Sequence, residues 1–146
     1  MIPDPLTASA SAGPRAHWCD YLRMARLDHM TKHVFILPGL VLAWALREPP
    51  LEEAWLHIVL GFASAVLVAS ANYILNEWLD REFDAWHPDK SRRPAVTVAL
   101  VPAAVWACWG GCTLAGLLLA GQVNALFFAT SVLFWLSGLA YNVRPL

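Results

Sequence analysis

The chain has 146 residues, of which 58% are apolar and only 14% are charged, and its formal net charge is −1. A soluble domain carries roughly 25% charged residues, and this chain has more apolar surface than a soluble fold of its length can bury, so the composition indicates a bilayer protein. The few basic residues lie beside apolar segments and give no basis for nucleic-acid binding.

Along the chain, a polar segment comes first and apolar segments follow. Residues 1–20 are rich in Pro, Ala and Ser and lack the apolar core of a signal peptide, so we expect a disordered leader. Four apolar stretches follow, at residues 34–46, 54–75, 95–121 and 123–141. The first reaches the roughly 20 residues that a membrane span needs only if its helix begins near Asp28. We predict an all-α, integral membrane helical bundle with four transmembrane helices over residues 21–146.

The basic residues are distributed unevenly between the two ends of these helices. One end carries nine of them: Arg15, Arg23, Arg26, Lys32, Arg81, Lys90, Arg92, Arg93 and Arg144. The other end carries Arg47 alone. Because Lys and Arg are enriched in cytoplasmic loops, we predict a multi-pass protein of the inner (plasma) membrane. Both termini and the loop 80–94 are then cytoplasmic.

Polar residues recur every four positions where the second apolar stretch ends. They are Asn72, Asn76, Asp80 and Asp84. Four residues turn a helix about 40° past a full turn, so these side chains form one slowly drifting stripe if the helix continues to residue 84. Amide and carboxylate oxygens suit Mg²⁺. Amides inside an apolar run are costly unless they are satisfied, which favours a binding site.

Cationic residues flank the same stripe. Lys90, Arg92 and Arg93 follow it, and Arg26 and Lys32 precede the first apolar stretch. Such side chains bind phosphate as point charges or through the guanidinium fork. Metal-binding acids beside phosphate-binding cations at a membrane surface predict a diphosphate with a lipid tail as the ligand. Two plainer interpretations stay open: a solvated loop that marks a helix end, and basic residues that anchor the first helix at the bilayer surface.

The sequence NEWLDREFD, residues 76–84, resembles the N-x-x-x-D-x-x-x-D motif of the UbiA superfamily of intramembrane prenyltransferases. RLDHMTKHVF is similar to the stretch that opens the family's first helix, and AYNVRPL to the region that closes its fourth. The resemblance implies a nine-helix bundle in which a polyprenyl diphosphate or phosphate binds with Mg²⁺ and the prenyl group passes to a small-molecule acceptor. It implies that Asn76, Asp80 and Asp84 hold the metal and the diphosphate, with the two aspartates serving catalysis.

Several alternatives remain beside this interpretation. HPDKSRRP, residues 87–94, is similar to the polyprenyl-phosphate phosphoribosyltransferases of the same superfamily, in which a lipid phosphate attacks phosphoribosyl diphosphate. A non-catalytic protein that binds polyprenyl phosphate is the next alternative. A small transporter is disfavoured because the ionisable groups gather at one membrane face.

The chain departs from the family pattern in several respects, including Leu27 where the family usually has Pro and AVTVAL after Pro94 where it often has small residues and glycine. Glu77 stands where the family often has Asp, and a second aspartate motif is missing from the sequence. We therefore expect the chain to be one half of the bundle and inactive alone. Three origins stay open: a truncated product, an incomplete reading frame, or a split half that a second half-chain completes.

Overall fold

A computed structural model describes residues 13–27, 37–47 and 51–142, and these residues form helices and no β-strand. The helices are α1 (Trp18–Met24), α2 (Leu37–Arg47), α3 (Leu51–Asp84), α4 (Pro94–Thr97), α5 (Pro102–Val123) and α6 (Ala125–Asn142). Within this part of the chain, α3 from Ala54 onward, α5 and α6 are long and apolar enough to cross a membrane. The predicted all-α membrane class is confirmed. The count of four spans stays a prediction, because residues 28–36, which include Lys32, lie outside the described residues.

Helix α3 carries both the second predicted span and the polar stripe. It has 34 residues, and at roughly 1.5 Å per residue it is about 50 Å long. The hydrocarbon core of a bilayer is only about 30 Å thick, so the charged last turns of α3 extend beyond it. No proline interrupts the helix, and it continues to Asp84, as the stripe requires.

The third predicted span, residues 95–121, does not form a single helix. Pro94 begins α4 and Pro102 begins α5, while Val98 (φ −127°, ψ 154°) and Val101 (φ −84°, ψ 116°) between them are extended. Proline lacks the N–H that a helix interior needs, and it disfavours helical backbone in the residue before it. The span therefore begins at Pro102, which opens its helix instead of kinking it.

The N-terminal segment packs on this break between α4 and α5. The Ala99 N–H donates to the Pro14 carbonyl at 3.0 Å, and the Val101 N–H donates to the Tyr21 hydroxyl at 3.0 Å. These bonds satisfy backbone groups that the interrupted helix leaves unpaired. Residues 13–20 of the predicted leader thus contact the rest of the chain, and the residues before them lie outside the described part.

Helix α3 packs chiefly against α5, and the two backbones approach closely at Gly116. A Cβ atom on Gly116 would lie 2.8 Å from Val68 Cγ2 and 3.2 Å from the Val68 backbone nitrogen. The Ser64 hydroxyl, which is buried, donates to the Gly116 carbonyl at 2.8 Å. Small residues permit such approach in lipid, where packing and interhelical hydrogen bonds hold helices together.

Gly116→Ala is expected to destabilise the bundle by about 1–3 kcal/mol, because the added methyl group forces α3 and α5 apart. Gly111→Ala is the matched control in the same helix, since no described atom lies within 4 Å of its added Cβ. The control should leave the free energy of unfolding unchanged or raise it by up to about 1 kcal/mol, because Ala has a higher helix propensity than Gly. Thermal and denaturant unfolding of the full chain in detergent measures both, and equal stabilities would contradict the close approach.

Candidate functional site

The polar stripe of α3 reaches two different surroundings at the end of the bundle. Asn72 and Asn76 face α6, whereas Asp84 faces the loop that follows α3. Successive members are rotated by about 40°, so the stripe turns through about 120° between its first and last residue. The stripe therefore lies on one face of α3 at Asn72 and on a different face at Asp84.

The first group, which we call the amide cluster, consists of Asn72, Asn76, Asp80 and Asn142. The Asn76 amide nitrogen donates to Asp80 Oδ2 at 2.9 Å and to Asn142 Oδ1 at 3.1 Å. The Asn72 amide nitrogen donates to the Phe134 carbonyl at 3.4 Å, and its buried Oδ1 accepts no hydrogen bond from any described residue. The amides that the sequence places in an apolar run are thus partly satisfied by α6.

A cleft of about 520 Å³ opens beside the amide cluster between α3 and α6. Its lining combines the amides with aromatic and small residues: Ala69, Tyr73, Phe134, Ser137, Gly138 and Tyr141. The Asn72 amide lies only 2.2–2.3 Å from where a Cβ on Gly138 would be, so any larger residue there would displace it. The cleft is mainly apolar with polar groups at one end.

The second group surrounds Asp84, whose side chain is buried. Its Oδ1 lies 3.6 Å from Lys90 Nζ, and its Oδ2 accepts a hydrogen bond from Arg93. Two cations therefore compensate one buried carboxylate, as a buried charge requires. Through these pairs Asp84 holds the loop after α3 against the end of the helix.

A third contact joins α3 to the N-terminal segment. Glu77 is only 2% exposed, and its Oε2 lies 3.9 Å from Arg26 Nε. Its Oε1 accepts a hydrogen bond from the Ala95 N–H at 3.3 Å. The Arg26 guanidinium also lies 5.2 Å from the centre of the Tyr73 ring, within reach of a cation–π interaction.

Arg26 itself has left-handed backbone, with φ at 51°. This region is sterically unfavourable for residues that have a Cβ, and a helix that ends this way usually has glycine there. Such conformations cost of order 1–3 kcal/mol and persist when the surroundings hold them.

A cavity of about 450 Å³ lies over these contacts, and we call it the cationic cavity. Its lining residues are Arg23, Arg26, Glu77, Asp89, Lys90, Arg92, Arg93 and Pro94. Five of these side chains are cationic and two are anionic. The structure thus brings Arg26 from the N-terminal segment together with the three loop cations. An excess of guanidinium and ammonium groups around one cavity suits a multiply charged phosphate.

The oxygen atoms of the amide cluster suit Mg²⁺ by their chemistry. Asp80 offers a carboxylate, and Asn142 offers an amide oxygen; the Asn76 amide nitrogen donates to both. Among the described residues no three His, Cys, Asp or Glu side chains gather as a metal site. Mg²⁺ commonly uses one or two carboxylates and takes its other ligands from water and phosphate, so the cluster fits an ion shared with a phosphate. Asp84, paired with cations, is in separate surroundings.

Several residues of these clusters are not among the candidates predicted from the sequence: Arg23, Glu77, Asp89, Pro94 and Asn142. Arg23 lies one helical turn before Arg26, which is a signal that helical spacing offers. Glu77 is a carboxylate inside an apolar helix, offset by one position from the stripe. Asn142 is an amide near the end of the last apolar stretch, and only its contact with Asn76 across 66 positions marks it.

The architecture is that of a helical membrane protein with a cationic cavity and an amide–carboxylate cluster at one end. A family model described as the UbiA prenyltransferase family matches residues 34–146. The match covers most of the chain, so the chain belongs to the UbiA family of membrane prenyltransferases, and the predicted family is confirmed. No curated protein and no solved structure matches the chain. Arg26 and α1 precede the matched residues.

Proposed function

We propose that this chain forms one side of a Mg²⁺-dependent site that binds a polyprenyl diphosphate or phosphate and transfers the prenyl group to a small-molecule acceptor. The observation that carries the proposal is the cationic cavity, in which five cationic side chains face two carboxylates. The amide cluster, whose Asn76 and Asp80 lie on α3 within the family's aspartate motif, supports the same assignment.

In this proposal the cations bind and stabilise the leaving group. Arg26, Lys90, Arg92 and Arg93 neutralise the negative charge that grows on a departing diphosphate. Lys32, which lies outside the described residues, stays a predicted member of this set.

The stripe residues have complementary roles in the proposed site. Asn76 and Asp80 would hold Mg²⁺, which neutralises phosphate oxygens when bound. Asp84 stays a predicted third ligand, since its carboxylate is paired with Lys90 and Arg93. Asn72 lies at the cleft and contacts substrate. The aspartates Asp80 and Asp84 are the proposed catalytic residues.

The cleft between α3 and α6 suits the apolar part of the reaction. Its aromatic and small residues offer an apolar surface next to the amide cluster. An allylic centre that loses its diphosphate develops positive charge, and shelter from water prevents hydrolysis. We therefore assign the prenyl group and the acceptor to this cleft.

The proposed topology places the site at the cytoplasmic face of the plasma membrane, with both termini and the loop 80–94 on that side. The excess of Lys and Arg at this end supports it. Only 17% of the apolar window of α5 and 6% of that of α6 are buried, against 39% for α3. This exposure agrees with a bundle that a second half-chain completes.

Transfer of a phosphoribosyl group is the second candidate function. The loop that resembles the phosphoribosyltransferases supplies Lys90, Arg92 and Arg93 to the cationic cavity. In both reactions the donor presents a diphosphate to the same cations. The two candidate functions are therefore distinguished by which donor the chain binds.

The proposal predicts that the full chain in lipid nanodiscs binds inorganic pyrophosphate saturably, more tightly with Mg²⁺ and more weakly as salt rises. Calorimetric titration measures this, with sulfate at equal ionic strength as the control. Displacement by geranylgeranyl diphosphate supports prenyl transfer, and displacement by phosphoribosyl diphosphate alone supports the second candidate. Pyrophosphate binding no stronger than sulfate binding, with or without Mg²⁺, would contradict the proposal.

A further inference from the structure

Glu77 is a buried carboxylate beside a cavity that suits anions. Its side chain is 2% exposed, and it lines the cationic cavity together with Arg26 and Arg93. A negative charge in this place repels a phosphate, and a buried charge is unfavourable unless it is paired and hydrogen-bonded. Both effects oppose a carboxylate here unless its contacts offset them.

The two oxygens of Glu77 contact two different segments of the chain. Oε2 lies 3.9 Å from Arg26 Nε, directly after α1. Oε1 accepts the Ala95 N–H at 3.3 Å, in the first turn of α4. Ala95 lies two positions after Arg93, which is a cation of the loop. One carboxylate on α3 therefore connects the two segments that carry the cations of the cavity.

The contact with Arg26 compensates an unfavourable backbone conformation. Arg26 has φ at 51°, which glycine adopts more readily than arginine. Its guanidinium is placed between the Tyr73 ring at 5.2 Å and the Glu77 carboxylate. Without the carboxylate, only the weaker contact with the ring would direct this guanidinium within the described part of the chain.

We infer that Glu77 is a positioning residue, which holds Arg26 and the Arg93–Ala95 segment at the separation required to bind one diphosphate. The inference rests on the proposed function, because it concerns the same phosphate site. Glu77 does not touch the phosphate in this role, and its effect on binding passes through Arg26 and the loop.

One substitution distinguishes a positioning role of Glu77 from simple repulsion of the phosphate, because the two roles change the pyrophosphate affinity in opposite directions. Glu77→Gln preserves the shape of the side chain and an acceptor for the Ala95 N–H, but removes the attraction for Arg26. A carboxylate that only repels phosphate would make this variant bind pyrophosphate more tightly. A positioning role makes it bind more weakly, by about fivefold, which corresponds to one lost hydrogen bond or ion pair. A role confined to stability changes the unfolding midpoint and leaves the affinity of the folded protein unaltered.

The experiment is a pyrophosphate titration of the full chain and its variants in nanodiscs, with thermal unfolding recorded for each. Glu82→Gln is the matched control, because this carboxylate lies on the same helix and is 80% exposed. The control should change the affinity by less than about twofold. Tighter or unchanged binding by Glu77→Gln would overturn the inference.

A second comparison tests the path through Arg26 and remains usable if the single variant fails to fold. Arg26→Gln should itself weaken binding. Adding Glu77→Gln to it removes both charges, leaves neither unpaired, and should change the affinity by less than about twofold. A further fivefold loss in this background would overturn the inference. If the unaltered chain does not bind pyrophosphate at all, the proposed function fails and this inference fails with it.

Discussion

Asp80→Asn is expected to abolish most of the gain in pyrophosphate affinity that Mg²⁺ provides, while the chain stays folded. Asp80 is the carboxylate of the amide cluster, and Asn76 donates to its Oδ2 at 2.9 Å. An amide of the same shape can accept this hydrogen bond, so packing is preserved. It offers Mg²⁺ a neutral ligand in place of a charged one, and the loss of a first ligand should weaken metal binding by about 100-fold.

Mn²⁺ can stand in for Mg²⁺ in this experiment, because both ions prefer carboxylate, carbonyl and water ligands. Paramagnetic resonance titration of Mn²⁺ with pyrophosphate present reports metal binding without any need for turnover. Glu82→Gln removes the same charge from an exposed position on the same helix and should bind Mn²⁺ as the unaltered chain does. In an enzyme completed by a second half-chain, Asp80→Asn should lower turnover by orders of magnitude. Unchanged Mn²⁺ affinity would remove Asp80 from the proposed metal site.

Arg93→Gln is expected to cause the largest loss of stability among the cation substitutions, about 2 kcal/mol. Asp84 is 2% exposed, and after this substitution Lys90, at 3.6 Å, is the one cation that still pairs with it among the described residues. Breaking a buried ion pair usually costs about 3–5 kcal/mol. We expect the smaller loss of about 2 kcal/mol because Lys90 remains beside Asp84 and the Arg93 side chain is itself 18% exposed.

Arg92→Gln is the matched control, since Arg92 is the adjacent cation, is exposed and forms no ion pair with a described residue. It should alter stability by less than about 0.5 kcal/mol. Both variants should bind pyrophosphate more weakly, because both residues line the cationic cavity. Denaturant unfolding and pyrophosphate titration measure the two effects separately. Adding Asp84→Asn to Arg93→Gln removes the unpaired charge and should restore most of the stability. Equal stability of the two single variants would contradict the Asp84 ion pair.

The long spans could be predicted from the sequence because their cause is local. An apolar segment in a bilayer must satisfy its backbone groups internally, and a helix does this with hydrogen bonds inside the segment. The stretch 54–75 accordingly lies inside α3, and residues 125–141 of the stretch 123–141 lie inside α6. The predicted start of the third span, residue 95, was wrong because the prediction used hydropathy alone and included the apolar residues before Pro102. Proline decides locally where a helix can begin, and the helix begins at Pro102.

The stripe shows how far helical periodicity reaches. The stripe was predicted on the condition that the helix continues to residue 84, and α3 does so. Both amides face α6. It did not predict that Asn76 meets Asn142 while Asp84 meets Arg93. Periodicity gives the direction of a side chain from its own helix, and the neighbour in that direction depends on how other helices pack.

The sequence by itself therefore determined the membrane class, the family and the segments that carry the acids and the cations, since each depends on composition or on contiguous residues. The tertiary structure decided which of these residues share a cavity. Only the packing of α1 and α4 against α3 buries Glu77 between Arg26 and Ala95. The position of a carboxylate in the sequence does not determine its burial or its partners, because both are set by residues distant along the chain.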